Sequence, residues 1–170
     1  MSQEGNRLSH IGSGVLRPKA GGELPERLKQ LHRDLCLVLD AHAVDAVAVE
    51  AVYGARHARS ALVLGHARGV LLLAAAQREL PIYEYAPAAV KKAVSGDGRS
   101  DKEQIRKMVQ LLLGAQFDGP ADRTDALAVA ICHAQVGQFA GKLAELHREQ
   151  KRAGRGNRRH PALRLTQKGS

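Results

Sequence analysis

Residues 43–55 read AVDAVAVEAVYGA, a run of small and β-branched apolar residues that delivers one carboxylate, Glu50, to its end. Residues 43–50 are read as a strand. Side chains alternate across a strand, so Glu50 shares a face with Val44, Ala46 and Ala48, while Asp45 points the other way. In open α/β sheets, ligands sit at the carboxyl ends of strands, which is where this acid falls. The bland alternative is an acid that has left the sheet and faces water.

The elements around this strand set the fold class. Leu28, Leu31, Leu35, Val38 and Leu39 recur at helical spacing within 24–41. A long helix is expected from about 56 to 80. The strand PIYEYAP follows at 81–87, and Pro87 opens a short helix to Val94. Ser100 and Glu103 have the spacing of a capping box for a helix that stops at Gly114. A last helix is expected from Gly119-Pro120 to about Gly141. LSHIGSGVLRP (8–18) suggests one more strand, and the residues through Gly5 read as unstructured. Strands alternating with helices predict an α/β domain with helices on both faces of a sheet.

The chain of 170 residues suits one well-buried core. No stretch approaches the roughly 20 apolar residues of a membrane helix, and MSQEGNRLSH has no apolar signal core, so a cytoplasmic protein without a membrane partner is expected. Cys36 and Cys132 form no CxxC spacing and read as reduced, buried thiols. Of the net charge of +9, residues 142–170 supply +7, with nine basic residues against Glu145 and Glu149. Residues 1–141 are therefore read as the folded domain and 142–170 as a flexible basic tail. Polyanions are the usual partners of such clusters, and a mere solubility device is the alternative.

Three features carry candidate chemistry. Asp122 and Asp125, in GPADRTDALAVA (119–130), share one side of the first turn of the last helix. Capping and the helix dipole alone would explain them. If they converge with Glu50, the oxygen ligands suit Mg²⁺. Lys102 sits in the first turn of a helix, where the dipole disfavours a cation unless a phosphate binds there; a solvated lysine is the alternative. Ala61, Gly65 and Gly69 form a stripe at four-residue spacing, which serves either packing on the sheet or a two-fold contact between subunits. Walker, dinucleotide-binding and GxSxG motifs are absent, as is any His/Cys metal cluster.

In order, the segments IGSG (11–14), DAVAVEAVYGARHARSALVLGHARGV (45–70), LPIYEYAPAAVKKAV (80–94), SDKEQIRKMV (100–109) and ADRTDALAVAICHA (121–134) resemble the RuvC-type Holliday-junction resolvases. The resemblance implies a ribonuclease-H-like mixed sheet flanked by helices. It implies a homodimeric endonuclease that uses Mg²⁺, with Mn²⁺ as a substitute, to nick four-way DNA junctions, working with a branch-migration helicase. By position, Glu50, Asp122 and Asp125 match the family's metal-binding acids. Tyr53 stands at an aromatic position that contacts bases near the crossover; a loop aromatic packed on the next helix is the alternative. Lys91 and Lys102 match lysines near the DNA backbone, and Lys92, Arg99 and Arg106 could widen that patch.

One departure accompanies the resemblance. Members of the family begin with a strand ending in a GIDPGS-like turn whose Asp bridges two metals, and nothing upstream of Leu8 resembles it; the early acids are Glu4, Glu23 and Glu26. The expectation is an incomplete N-terminal part of the sheet, an unpaired edge beside Glu50, weakened metal binding and little cleavage by the chain as it stands. A truncated reading of the chain and a junction-binding protein without catalysis both account for this. A nuclease selective for branched structures in general is a third reading.

Overall fold

The computed structural model describes residues 1–51, 58–116 and 120–156, with side chains for 1–51, 60–116 and 120–138. The strands form two pairs, one antiparallel and one parallel, accompanied by helices.

Strands β1 (Ser2–Glu4) and β2 (Arg7–Ser9) form an antiparallel hairpin that pairs Ser2 with Ser9 and Glu4 with Arg7. The segment through Gly5, expected to lack structure, therefore holds a strand. Its residues are exposed and polar, so the hydrophobic pattern could not announce it. Gly5, at φ +57°, takes the first central position of the two-residue loop, where a positive φ favours glycine. Met1 and Leu8 pack against the core. The strand expected over 8–18 ends at Ser9, and Gly12 and Gly14 lie in irregular chain beyond it.

Helix α1 (Leu24–Asp40) has a proline in its first turn and half-buries Leu28, Leu31, Leu35 and Leu39 against helix α2 (Ala58–Ala76). Strand β3 (Val47–Glu50) runs parallel to β4 (Ile82–Tyr85), and α2 is the crossover between them. The register pairs Val47 with Ile82 and Glu50 with Tyr85. Among the described residues β3 pairs with β4 alone. Pro87 opens α3 (Pro87–Ser95), which ends at Gly96 in the left-handed region (φ 82°).

Helix α4 (Lys102–Leu113) keeps a capping box, shifted by one residue from the expected Ser100/Glu103 pair. Asp101 accepts from the Gln104 main-chain N–H (2.8 Å), and Gln104 accepts from the Asp101 N–H (3.1 Å). Ser100 is instead buried and bonded to the Ser95 hydroxyl at 2.7 Å, while Glu103 pairs with Arg106.

Helix α5 (Ala121–Gly156) continues fifteen residues past Gly141, into the range expected to be a flexible tail. The segment KLAELHREQKRA (142–153) is rich in strong helix formers, and one glycine costs a helix only about 1 kcal/mol. The chain divides into two units, Met1–Gln135 and Val136–Ser170, so the division falls inside α5 rather than at residue 141.

The core of the first unit joins Val90 and Val94 of α3, Ile105, Val109 and Leu113 of α4, and Leu127, Ala128, Val129, Ile131 and Cys132 of α5, with Ala48 and Tyr85 packed against it. α3, α4 and α5 thus share one apolar centre, and the sheet residues Ala48 and Tyr85 face it. Cys132 is buried, Cys36 is half-buried, and both are free thiols. Among the described residues no helix is long and apolar enough to cross a membrane.

Candidate metal centre and nucleic-acid interface

Glu50 is the last residue of β3 and stands beside Tyr85, its register partner on β4. Partners in a parallel ladder project to the same face, so Glu50, Ala48, Tyr83 and Tyr85 look toward α5. Asp122 and Asp125 lie in the first turns of that helix. All three acids are exposed as residues, yet the Glu50 carboxyl is crowded by protein. Burial raises its pKa above the ordinary glutamate value, the neighbouring Asp125 carboxylate raises it further, and the Lys91 ammonium pulls the other way.

The structure thus brings Glu50, Asp125 and Lys91 into one electrostatic neighbourhood from β3, α5 and α3. Asp122 stands one turn earlier on α5 and contributes no comparable effect at Glu50. Among the described residues no three His, Cys, Asp or Glu side chains gather closely enough to hold a metal ion, so the convergence is of two carboxylates.

A divalent cation fits the chemistry of this pair. The donors are carboxylate oxygens, which suit Mg²⁺ or Mn²⁺, and the Glu50 pKa is raised first by burial and then by the Asp125 carboxylate, against the half-buried Lys91. Lys102 is the first residue of α4, as the sequence led us to expect, and is exposed at its N-terminus. Arg99 and Arg106 have acidic neighbours, Asp97 at 3.7 Å and Glu103 at 2.9 Å, which reduce what each adds to a basic patch. Tyr53 lies outside the described residues, and the basic residues of 142–170 lie beyond the described side chains.

Two supports of this site escaped the sequence reading. Arg68 of α2 donates through Nη1 to the Glu50 carbonyl (2.8 Å) and pairs through Nη2 with Glu84 of β4 (2.6 Å). The signal available in the sequence was a single arginine within the apolar run LVLGHARGVLLLAAA. The second is His133 of α5, whose Nδ1 shares a 2.7 Å hydrogen bond with the Tyr85 hydroxyl while its ring lies 4.5 Å from that of Tyr83.

Comparison with known proteins places this architecture. The model of the family described as "Crossover junction endodeoxyribonuclease RuvC" matches residues 1–133. The chain is 49% identical over 142 residues to that protein of Myxococcus xanthus (strain DK1622), covering 82% of this chain and 74% of the relative. It is 53% identical over 132 residues to that of Paracoccus denitrificans (strain Pd 1222), covering 77% and 79%. Among solved structures, Thermus thermophilus RuvC superposes with a TM-score of 0.72 at 31% identity, covering 79% of this chain and 81% of that one. T. thermophilus RuvC in complex with Holliday junction substrate gives a TM-score of 0.77 at 30% identity, covering 82% and 86%. The fold is accordingly that of the ribonuclease-H-like RuvC proteins, and on sequence and structure together this chain belongs to the RuvC family.

Proposed function

We propose that this chain is a structure-selective endonuclease that binds four-way DNA junctions and nicks them in recombination and repair, with Glu50, Asp122 and Asp125 as its metal-binding and catalytic acids. The observation that carries the reading is the convergence of Glu50 and Asp125, with Lys91 beside them, at the carboxyl end of β3 in a RuvC-family chain. Mg²⁺, or Mn²⁺ in its place, would be held by these carboxylates and would supply Lewis-acid stabilisation and an activated water for phosphodiester hydrolysis. The protein's own part is placement: β3 and α5 bring two acids together, and Lys91 and Lys102 offer positive charge to backbone phosphates. Tyr53 would stack on bases near the crossover. The reaction belongs in the cytoplasm, beside the chromosome and a branch-migration helicase.

A two-fold dimer is the assembly we assign, with α2 at the contact. On that helix Leu62, Leu64 and Leu73 are more than half exposed, and a side-chain carbon built at Gly65 or Gly69 would meet nothing within 4 Å. The open space at Gly65 and Gly69 favours the two-fold contact over packing on the sheet. A contact with a second copy would cover these residues.

The test is a labelled four-way junction and a linear duplex titrated with Mg²⁺. We expect nicks, weak for the chain as it stands, to fall symmetrically and in the junction only, and binding without nicking for Glu50→Gln and Asp125→Asn. Nicking by Glu50→Gln, or equal cutting of linear duplex, would overturn the assignment. A second reading, junction binding without cleavage, is favoured by the gathering of two rather than three carboxylates among the described residues. It predicts tight junction binding with no nick at any Mg²⁺ concentration.

A further inference from the structure

The two acids sit on different elements, so something must fix how far along the sheet α5 lies. The face that α5 turns to the core is apolar throughout, in the run ALAVAICHA (126–134), of which Leu127, Ala128, Val129, Ile131, Cys132 and Ala134 are buried. Apolar contact of this kind is strong but has no direction. A displacement of one residue along a helix moves a side chain by about 1.5 Å and turns it by about 100°. Either would separate Asp125 from Glu50.

Among the described residues, a directional contact crosses between this stretch of α5 and the sheet. The Tyr85 hydroxyl and His133 Nδ1 lie 2.7 Å apart, and both residues are half-buried. The His133 ring also packs on Tyr83, with centroids at 4.5 Å, so two side chains of β4 hold it. Tyr85 is the register partner of Glu50. His133 is eleven residues beyond Asp122, close to three full turns, so the two project from nearly the same side of α5. The hydrogen bond therefore ties the helix bearing Asp122 and Asp125 to the strand residue adjacent to Glu50.

We propose that the Tyr85–His133 hydrogen bond is the register pin of the carboxylate pair, holding α5 at the one axial setting that keeps Asp125 opposite Glu50. Both are positioning residues, since neither belongs to the proposed metal-binding set. The inference rests on the reading of Glu50 and Asp125 as metal-binding acids, and it adds which contact makes that pairing accurate enough to bind a small divalent ion.

The experiment uses the full chain and Mn²⁺ as the probe, with free Mn²⁺ read by electron paramagnetic resonance. Glu50→Gln defines which binding belongs to the site. Tyr85→Phe removes one oxygen and keeps the ring, so it preserves the packing on the core. His133→Leu removes the ring nitrogens, and His133→Asn returns a polar atom near the Nδ1 position. We expect Tyr85→Phe and His133→Leu to weaken Glu50-dependent Mn²⁺ binding by about tenfold, the low end for groups that orient metal ligands. Metal-free junction binding should stay unchanged, and His133→Asn should recover most of the Mn²⁺ affinity. Unchanged Mn²⁺ affinity in both losing variants, with only a lower melting temperature, would show a purely structural bond and overturn the pin while leaving the acids in place. Absence of any Mn²⁺ binding that Glu50→Gln removes would overturn the acid reading itself, and the pin with it.

Discussion

Arg68 reaches from α2 to hold the main-chain carbonyl of Glu50 at 2.8 Å and, with the same guanidinium, the Glu84 carboxylate at 2.6 Å. The Ala51 N–H donates to the Tyr85 carbonyl at 2.8 Å, so across the trans peptide the Glu50 carbonyl points away from β4. A strand-end carbonyl turned away from its only described neighbour would otherwise need water, and Arg68 satisfies it. The strand tip is thereby fixed by a side chain from the crossover helix, and the acid is fixed with it.

Replacing Arg68 tests that grip. Arg68→Met keeps much of the stem packing and loses both bonds. We expect a loss of about 1–2 kcal/mol, at the low end for charged hydrogen bonds because Glu84 is half exposed. Glu84→Gln should cost less than about 1 kcal/mol, since the carbonyl bond survives. Denaturant melts of the three proteins check the order, and equal losses would place the weight on the ion pair instead.

The pH dependence of Glu50 has a definite sign. Its folded-state pKa is raised, so the folded protein holds this proton more tightly than the unfolded chain does. Well below the ordinary glutamate value, at about pH 3, both states are protonated and the group has no effect on stability. As pH rises through the ordinary glutamate range and past the raised value, the ionised carboxylate destabilises the fold. Glu50→Gln should therefore raise the melting temperature of the metal-free protein at pH 7, with the gain vanishing toward about pH 3. Added Mg²⁺ should stabilise the parent protein and leave the Gln variant unmoved; a Gln variant less stable at pH 7 without metal would contradict the sign.

For α2, the open space at Gly65 separates monomer stability from assembly. Gly65→Ala removes a helix-interior glycine without a clash inside the subunit and should stabilise an isolated subunit by up to about 1 kcal/mol. Gly65→Leu should fold equally well but halve the mass seen by light scattering, because bulk at the stripe keeps two helices apart. A mass unaffected by Gly65→Leu would remove α2 from the dimer contact.

The basic C-terminal segment is expected to touch phosphates without regard to sequence. Deleting 142–170 removes nine basic residues and should flatten the dependence of junction affinity on salt, by nearly one unit of log–log slope per lost phosphate contact. An unchanged slope would mean that this segment makes no phosphate contacts.

Much of this protein was legible before any coordinate. The strand end at Glu50, the helical spacing of 24–41, and Pro87 and Gly114 as helix boundaries follow from local rules of backbone geometry and periodicity, and the structure has them, although the strand expected from residue 43 begins at Val47 and only Asp122 of the acid pair lies in the first turn of α5. The hairpin of Ser2–Ser9 was not legible, because its first strand is polar and exposed and is defined by main-chain bonds rather than by buried side chains. The extent of α5 past Gly141 was misjudged because one glycine is a weak stop against a run of strong helix formers. The capping box moved by one residue because the buried Ser95–Ser100 contact claimed the serine.

The sequence alone determined which acids could form a site, but spacing along a chain cannot say whether residues 50 and 125 meet. Only the tertiary structure decided that Glu50 and Asp125 share one field with Lys91, that Arg68 grips the strand tip, and that Tyr85 and His133 join the sheet to α5. The physical reason is that each of these contacts joins elements distant in sequence. Their geometry is set by the packing of helices on the sheet, which no local pattern encodes.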